Sequence, residues 1–450
     1  MPATRRRSTA FALAGLITLG PAPLSAPASA APAGPSCLDS AAPVGVEEQR
    51  LGRTLAGSDV PVSAQILDRS GFGGVEVAFV RDLCNARSLA HSERVAERHG
   101  ARLWRDAAAR AQGQVVRGDL PAGDDRPLYW ARLQMSRALQ QYAPGFEFSE
   151  SDRAELLEAL ATTSRGRGEE IRLPAGEGVR TMLVSGFDPF ILDTEPRRTN
   201  PSGASALALD GTTVQTDKGR VRIEAVVLPV NWTEFEQGMV EDTFGPLMRP
   251  GSRQLDATMT ISQGRNRFDS EQYNGRFGTG TGNDGYNPCA APFTIRPACQ
   301  NTPSQAWVPF EPPQFTETNQ PVEVMAQVDV SPYTFNRNTE VTEFVECDGT
   351  ATIVSLDGPS SPQACARSGG GGDYLSNAVA YRVTLLRDAL GLDTPAGHLH
   401  IPSVSYEPGN ANPNGPAPQI TDPEFERTRA AVVERTVALV RAAAAETLRS

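Results

Sequence analysis

The chain has 450 residues, 42 Lys+Arg against 53 Asp+Glu, a net charge of −11, six cysteines and four histidines. That length exceeds one ordinary core, so two domains are the first expectation. The acidic balance, with no basic block, excludes a nucleic-acid partner, and past residue 30 no apolar run approaches the roughly 20 residues that a membrane span needs.

The first element is an export signal. Arg5, Arg6 and Arg7 form a positive region, Thr9 to Leu19 is a short apolar stretch, and Ala28-Ser29-Ala30 has the small-x-small form of a cleavage site. Residues 1–30 therefore read as a signal peptide cleaved after Ala30, and residues 31–45 as a Pro/Ala-rich linker. The mature chain is expected outside the cytoplasm with no membrane span. Cys37, Cys84, Cys289, Cys299, Cys347 and Cys365 then remain, an even set that suggests three disulfides in an oxidising compartment. Pairing sequence neighbours, Cys37–Cys84, Cys289–Cys299 and Cys347–Cys365, is the least entangled arrangement. The rival reading of a metal site lacks a CxxC or clustered histidines, and no cofactor is expected.

Residues 46–163 read as a mainly helical domain. Apolar residues recur at helical spacing over Ser88–Gln112 and again over Pro127–Tyr142, and Ser149 with Asp152 forms a capping-box pattern. His91 and His99 lie among Arg and Glu and read as solvated surface positions. Residues 164–177 read as a linker. From there to residue 447, short β-rich runs (Met182–Val184, Val221–Val230, Ala257–Ser262, Ala351–Leu356, His398–Val404) alternate with helical patterns at Asn377–Leu390 and Pro423–Leu448. That alternation predicts an α/β sheet with helices on both faces. Residues 286–342, rich in Pro, Asn, Thr and Gln, read as an insertion.

Three stretches of this second part carry chemistry. The glycine run Gly369–Gly372 leads through Asp373 and Tyr374 into the helix holding Ser376; a hydroxyl at a helix start faces free backbone N–H groups that can stabilise an oxyanion, and it also suits a plain N-cap. His398 and His400 alternate onto one face at the end of a strand. Gly264-Arg265-Asn266-Arg267-Phe268-Asp269-Ser270-Glu271 ends a strand and offers a carboxylate. A Ser, a His and a Glu together supply nucleophile, base and orienter.

These stretches fall in one familiar order. Gly186-Phe187-Asp188-Pro189-Phe190, Asn200-Pro201-Ser202, Leu228-Pro229-Val230, the Gly264–Glu271 stretch, Asn283–Pro288, Ser376-Asn377-Ala378-Val379-Ala380-Tyr381 and Gly397-His398-Leu399-His400-Ile401-Pro402 resemble the motifs of the pyroglutamyl peptidase I family, the cysteine peptidases that remove N-terminal pyroglutamate. The resemblance covers residues 179–447, with Phe268 and Asp269 replacing the family's Ile and Thr. It implies a three-layer α/β/α sandwich of the pyroglutamyl peptidase type behind the helical domain, an omega-peptidase activity, a peptide substrate with a blocked N-terminus, and room for an oligomer. His400 falls on the general base, Glu271 on its orienting carboxylate, and Phe187, Phe190 and Tyr374 on aromatics of the lactam pocket. Arg265 and Asn377 read as structural supports.

The main departure is Ser376, which stands where the family carries its nucleophilic cysteine. A thiol reacts as a thiolate, whereas a serine hydroxyl must lose its proton during attack. Export supplies a motive for the exchange, because a free thiol outside the cell is exposed to oxidation and wrong pairing. Three accounts stand side by side: a working Ser/His/Glu triad, an inactive homologue retained as a binding or structural protein, and an introduced inactivating substitution.

Overall fold

The computed structural model describes residues 37–174, 178–289, 297–300, 303, 306–347, 349 and 351–448. The predicted signal peptide and the start of the predicted linker lie outside the described residues. Six helices come first: α1 (Val46–Gln49), α2 (Val62–Ser70), α3 (Val75–Cys84), α4 (Leu89–Ala111), α5 (Arg126–Gln140) and α6 (Glu150–Ser164). Local chemistry sets their starts. Ser88 accepts from the His91 N–H ahead of α4, and Ser149 with Asp152 completes the reciprocal capping box of α6. His99 departs from its expected place on the solvated surface: it is 8% exposed, its Nε2 lies 2.9 Å from Asp82 Oδ2, and its ring meets Phe79 edge-on. The Arg- and Glu-rich neighbours that suggested solvent lie on the other faces of α4.

The second part contains β1 (Val179–Phe187), α7 (Pro201–Leu209), β2 (Thr212–Thr216), β3 (Gly219–Leu228), α8 (Trp232–Glu236), α9 (Met239–Met248), β4 (Ala257–Gln263), β5 (Phe268–Glu271) and β6 (Tyr273–Gly275). It continues through β7 (Phe315–Glu317), α10 (Val322–Met325), β8 (Phe335–Asn338), β9 (Val341–Phe344), β10 (Thr352–Ser355), β11 (Cys365–Ser368), α11 (Leu375–Ala389), β12 (Ala396–Ile401) and α12 (Pro423–Glu446). Seven strands form one mixed sheet in the order β2-β3-β1-β4-β12-β5-β8, parallel from β3 to β12 and antiparallel at the β2–β3 and β12–β5 contacts. Period-two alternation divides its faces. Met182, Val184, Ile223, Met259 and Leu399 pack against Val432, Leu439 and Val440 of α12. Leu183, Val226 and Leu228 pack against Phe244 of α9 and Val379 and Val383 of α11. The result is an α/β sandwich with a helical N-terminal part.

The strand expected at 351–356 is β10, which belongs to a separate three-stranded antiparallel sheet with β9 and β11. The predicted insertion contributes to the main architecture as well, since β8 within it is the sheet's edge strand beside β5. The three cysteine pairs join sequence neighbours, Cys37–Cys84, Cys289–Cys299 and Cys347–Cys365, with Cα separations of 5.3, 5.6 and 5.3 Å. Among the described residues, no helix is long and apolar enough to cross a membrane.

From Cys37 onward the chain forms one compact unit, and the helical layer shares a core with the sheet: Leu103, Trp104 and Trp130 belong to the same apolar cluster as Ala206, Leu207, Ala225 and Val227. Charges reinforce the junction. Asp188, in the loop after β1, is buried between Arg132 of α5 and Arg165 just beyond α6. Asp125 receives the Asn200 N–H at 2.9 Å and the Thr199 hydroxyl. Arg126 ties Asp124 at 2.6 Å to the carbonyls of Arg197 and Ile420.

Glu47 of α1 accepts from the Tyr129 hydroxyl at 2.9 Å beside this network, and burial pushes its carboxyl from 4.5 up to about 7, with Arg165 opposing the rise and Asp188 adding to it. A folded-state value above the unfolded one means a contribution complete below pH 4.5 and lost as the pH climbs through 7. Glu47→Gln, neutral at every pH and still an acceptor for Tyr129, is therefore expected to gain stability over wild type between pH 5 and 8, by at most about 3 kcal/mol. Melting temperatures of both proteins across that range check it; parallel curves would show that Glu47 does not titrate there.

Candidate active site

The site forms where three parallel strands end. β12 carries His398 and His400, whose rings meet edge-on at 4.8 Å, as their alternation implied. β5 runs antiparallel to β12, placing Glu271 opposite His398 and Asp269 opposite His400. From there Glu271 Oε1 reaches His400 Nδ1 at 2.7 Å, with both side chains buried. The other carboxylate oxygen, Oε2, accepts from Asn338 Nδ2 at 2.6 Å. Asn338 ends β8 inside the predicted insertion, and sequence reasoning missed it because the signal lay in a loop-like composition. Arg267, in the same stretch, contacts Asp269 at 2.7 Å and leaves Glu271 to His400 and Asn338.

Glycines make this closeness possible. A Cβ on Gly370 would collide with Glu271 Oε2, and one on Gly264 would lie 2.6 Å from His400 Cδ2. The Gly370 carbonyl receives Arg265 Nη2 and Asn338 Nδ2, each at 3.2 Å, so Arg265 orders the glycine run. Asn377 also acts structurally: it exchanges two 2.8 Å hydrogen bonds with the backbone of Gly275.

His398 is a satisfied core residue. Its Nδ1 meets Thr260 Oγ1 at 2.7 Å and its Nε2 meets Ser262 Oγ at 2.8 Å. Burial, helped by neighbouring His400, holds its pKa well below the usual histidine range, so it is neutral. With His400 Nδ1 committed to Glu271, Nε2 is the nitrogen left for proton transfer.

Ser376 lies in the first turn of α11, two residues past Tyr374, which occupies the N-cap position; the hydroxyl is not itself the cap. The amides of Leu375, Ser376 and Asn377 make no hydrogen bond among the described residues, as expected for orphan donors of a helix start. Ser376 lines a narrow cleft of about 270 Å³ of empty space, mouth included, together with Phe187, Phe190, Tyr374 and Gln263. Phe190 and Tyr374 are tilted at 36° with centroids 6.2 Å apart, and the Tyr374 hydroxyl is tied to the Thr281 carbonyl at 2.6 Å. Burial pushes that phenol up to about 12, leaving it a neutral wall. The structure therefore brings Ser376 to the three expected aromatics and Glu271 to His400. No hydrogen bond joins Ser376 Oγ to His400.

The fold and site define an α/β protein with a buried His–Glu pair beside an aromatic cleft. The family described as PA0049 N-terminal domain matches residues 28–161, and its companion, PA0049 C-terminal domain, matches residues 181–306 and 296–405. Uncharacterized protein PA0049 of Pseudomonas aeruginosa is 37% identical over 486 aligned positions, covering 88% of each chain. This chain belongs to the PA0049 family. Among solved structures, a mutant pyrrolidone carboxyl peptidase from Pyrococcus furiosus is similar at 17% identity and a TM-score of 0.37, covering 59% of this chain and 99% of that one. Pyrrolidone carboxyl peptidase from Thermococcus litoralis is similar at 13% identity and a TM-score of 0.36, covering 59% and 94%.

Asn338→Leu keeps the branching at Cγ, with a bulkier side chain, and removes the donor to Glu271 Oε2, leaving a buried carboxylate oxygen short of one partner. A loss of about 1–3 kcal/mol is expected, read as an earlier midpoint in urea; an unmoved midpoint would mean that Glu271 finds another donor.

Proposed function

We propose that this chain is an exported hydrolase of the pyroglutamyl peptidase type, removing N-terminal pyroglutamate through Ser376, His400 and Glu271. The observation that carries the reading is the 2.7 Å pair of His400 and Glu271 next to a cleft in which Ser376 meets Phe187, Phe190 and Tyr374. A flat, uncharged lactam stacks between aromatic walls without needing a counter-ion. Ser376 Oγ attacks the pyroglutamyl carbonyl while His400 Nε2 takes its proton, and the oxyanion falls to the free amides at the start of α11. The peptide amine leaves with the proton from His400. Water then enters, gives a proton to the same nitrogen, and cleaves the ester to release pyroglutamate and restore Ser376. The gap between Ser376 and His400 closes in this reading when substrate binds, since catalytic contacts are often long in the free enzyme.

That same gap favours a second reading, a binding protein built on a peptidase frame. Three proteins assayed side by side on a pyroglutamyl arylamide separate them. The hydrolase reading expects turnover by wild type, its loss by several orders of magnitude in Ser376→Ala, and retained or higher rates in Ser376→Cys, whose thiol is the better nucleophile. An inert wild type beside an active Ser376→Cys would overturn the serine mechanism.

Export is part of the proposal, supported by the three disulfides, which suit an oxidising compartment. N-terminal sequencing of the exported protein is expected to begin at Ala31; a chain retained with its first 30 residues would refute the cleavage.

A further inference from the structure

The loop between the Gly186–Phe190 turn and α7 carries a cation that the proposed chemistry does not use. Arg198 is half-buried, its guanidinium lies 4.9 Å from the centroid of Phe190, and Phe190 lines the cleft. With the Gln263 amide turned so that both of its ends are satisfied, Gln263 Oε1 accepts from Arg198 Nη2 at 3.0 Å and its Nε2 donates to the Thr199 carbonyl at 3.3 Å. Gln263 lines the cleft too. Arg198 is therefore fixed by two cleft residues, at the edge of the space that Ser376 borders.

Its charge has no counter-ion among the described residues, because the acids around it are committed elsewhere. Glu195 gives one oxygen to Arg197 Nε at 2.7 Å and the other to Arg197 Nη2 at 2.6 Å. Asp193 faces Arg50 at 2.8 Å and Arg53 at 3.3 Å. Asp188 is held between Arg132 and Arg165. Burial pushes the Arg198 pKa down, with Glu195 opposing, so its desolvation is only partly offset. A guanidinium stacked on an aromatic face keeps its planar fork of donors pre-ordered, which suits a carboxylate taken in two-pronged fashion.

We propose that Arg198 is a specificity residue that selects substrates with a carboxylate one residue beyond the lactam, which are short pyroglutamyl peptides ending in a free acid. This rests on the reading of the cleft as a pyroglutamyl site: with the lactam against Phe190 and Tyr374, the next substrate group at the mouth belongs to the leaving side. The enzyme would then act on the terminal dipeptides left by other peptidases rather than on long blocked chains.

The test compares pyroglutamyl-glycine with its neutral isostere pyroglutamyl-glycinamide, on wild type, Arg198→Gln and Arg198→Lys. Wild type is expected to favour the acid by about tenfold or more in kcat/KM, mainly through KM. Arg198→Gln brings the ratio close to one, and Arg198→Lys, with the charge but no fork, falls between. If Arg198 only braces Phe190, both substrates weaken together and the ratio stays at its wild-type value, which overturns the proposal; so does a wild-type ratio near one. Where wild type hydrolyses neither compound, its activity on the pyroglutamyl arylamide decides separately on the hydrolase reading, and calorimetric titration with the same two compounds decides on Arg198. Tighter binding of the acid, lost in Arg198→Gln, upholds the proposal, whereas equal or undetectable binding of both refutes it.

Discussion

The buried carboxylate of Asp188 is the constraint around which the rest is arranged. It sits in the turn that carries Phe187 and Phe190, and the arginines that neutralise it come from the helical layer, Arg132 on α5 and Arg165 after α6. Taking one carboxylate and two guanidinium groups out of water is costly, and the cost is offset only while the groups stay together. A helical layer moved away from the sheet would leave a buried charge without its partners. The same surface repeats the device: Asp125 fastens the Thr199–Asn200 backbone, and Arg126 fastens the carbonyls of Arg197 and Ile420. The helices thus act as a wall that sets the loops of the cleft, which gives them a role that composition alone does not suggest.

On the other side of the sheet the constraint is spatial. His400 and Glu271 meet because two short strands run antiparallel at the end of an otherwise parallel array. The ring and carboxylate fit only because Gly264 and Gly370 leave out side chains. His398 shows how small the difference between a core and a site histidine is. It lies two residues away on the same face, yet hydroxyls of Thr260 and Ser262 occupy both of its nitrogens, while His400 has a carboxylate at one and no hydrogen bond at the other among the described residues.

Much of this was legible in the sequence, for local reasons. Capping residues and helical periodicity placed α4, α5, α6 and α12 within a few residues of their observed ends, and the even cysteine set with short separations named the three pairs. The contacts that were hidden depend on residues distant in the chain. Asn338 meets Glu271 across 67 positions, and its segment reads as an insertion because it is rich in Pro, Asn, Thr and Gln with no clean period-two run. His99 was misplaced because its helix is rich in Arg and Glu, whereas tertiary packing turns that one position toward Asp82 and Phe79. Arg198 was passed over since nothing in a linear pattern marks a cation whose neighbouring acids are all engaged.

In the reading proposed above, which places the chain in an oxidising compartment, a serine rather than a cysteine nucleophile at position 376 fits its setting. All six cysteines of the chain are paired, with none left free. A thiol at 376 would be a seventh, at the mouth of a cleft, where an oxidising compartment converts it to higher oxidation states or to a mixed disulfide. A hydroxyl is immune to that, but it demands a stronger base at the moment of attack, because its proton is held far more tightly than that of a thiol. The features that would meet that demand are on the base rather than on the nucleophile: a buried carboxylate fixed by Asn338 on one oxygen and directed at His400 with the other. In that reading the glycine run, Asn338 and the segment that carries it serve the same chemistry as Ser376, and a Ser376→Cys protein would have less need of them.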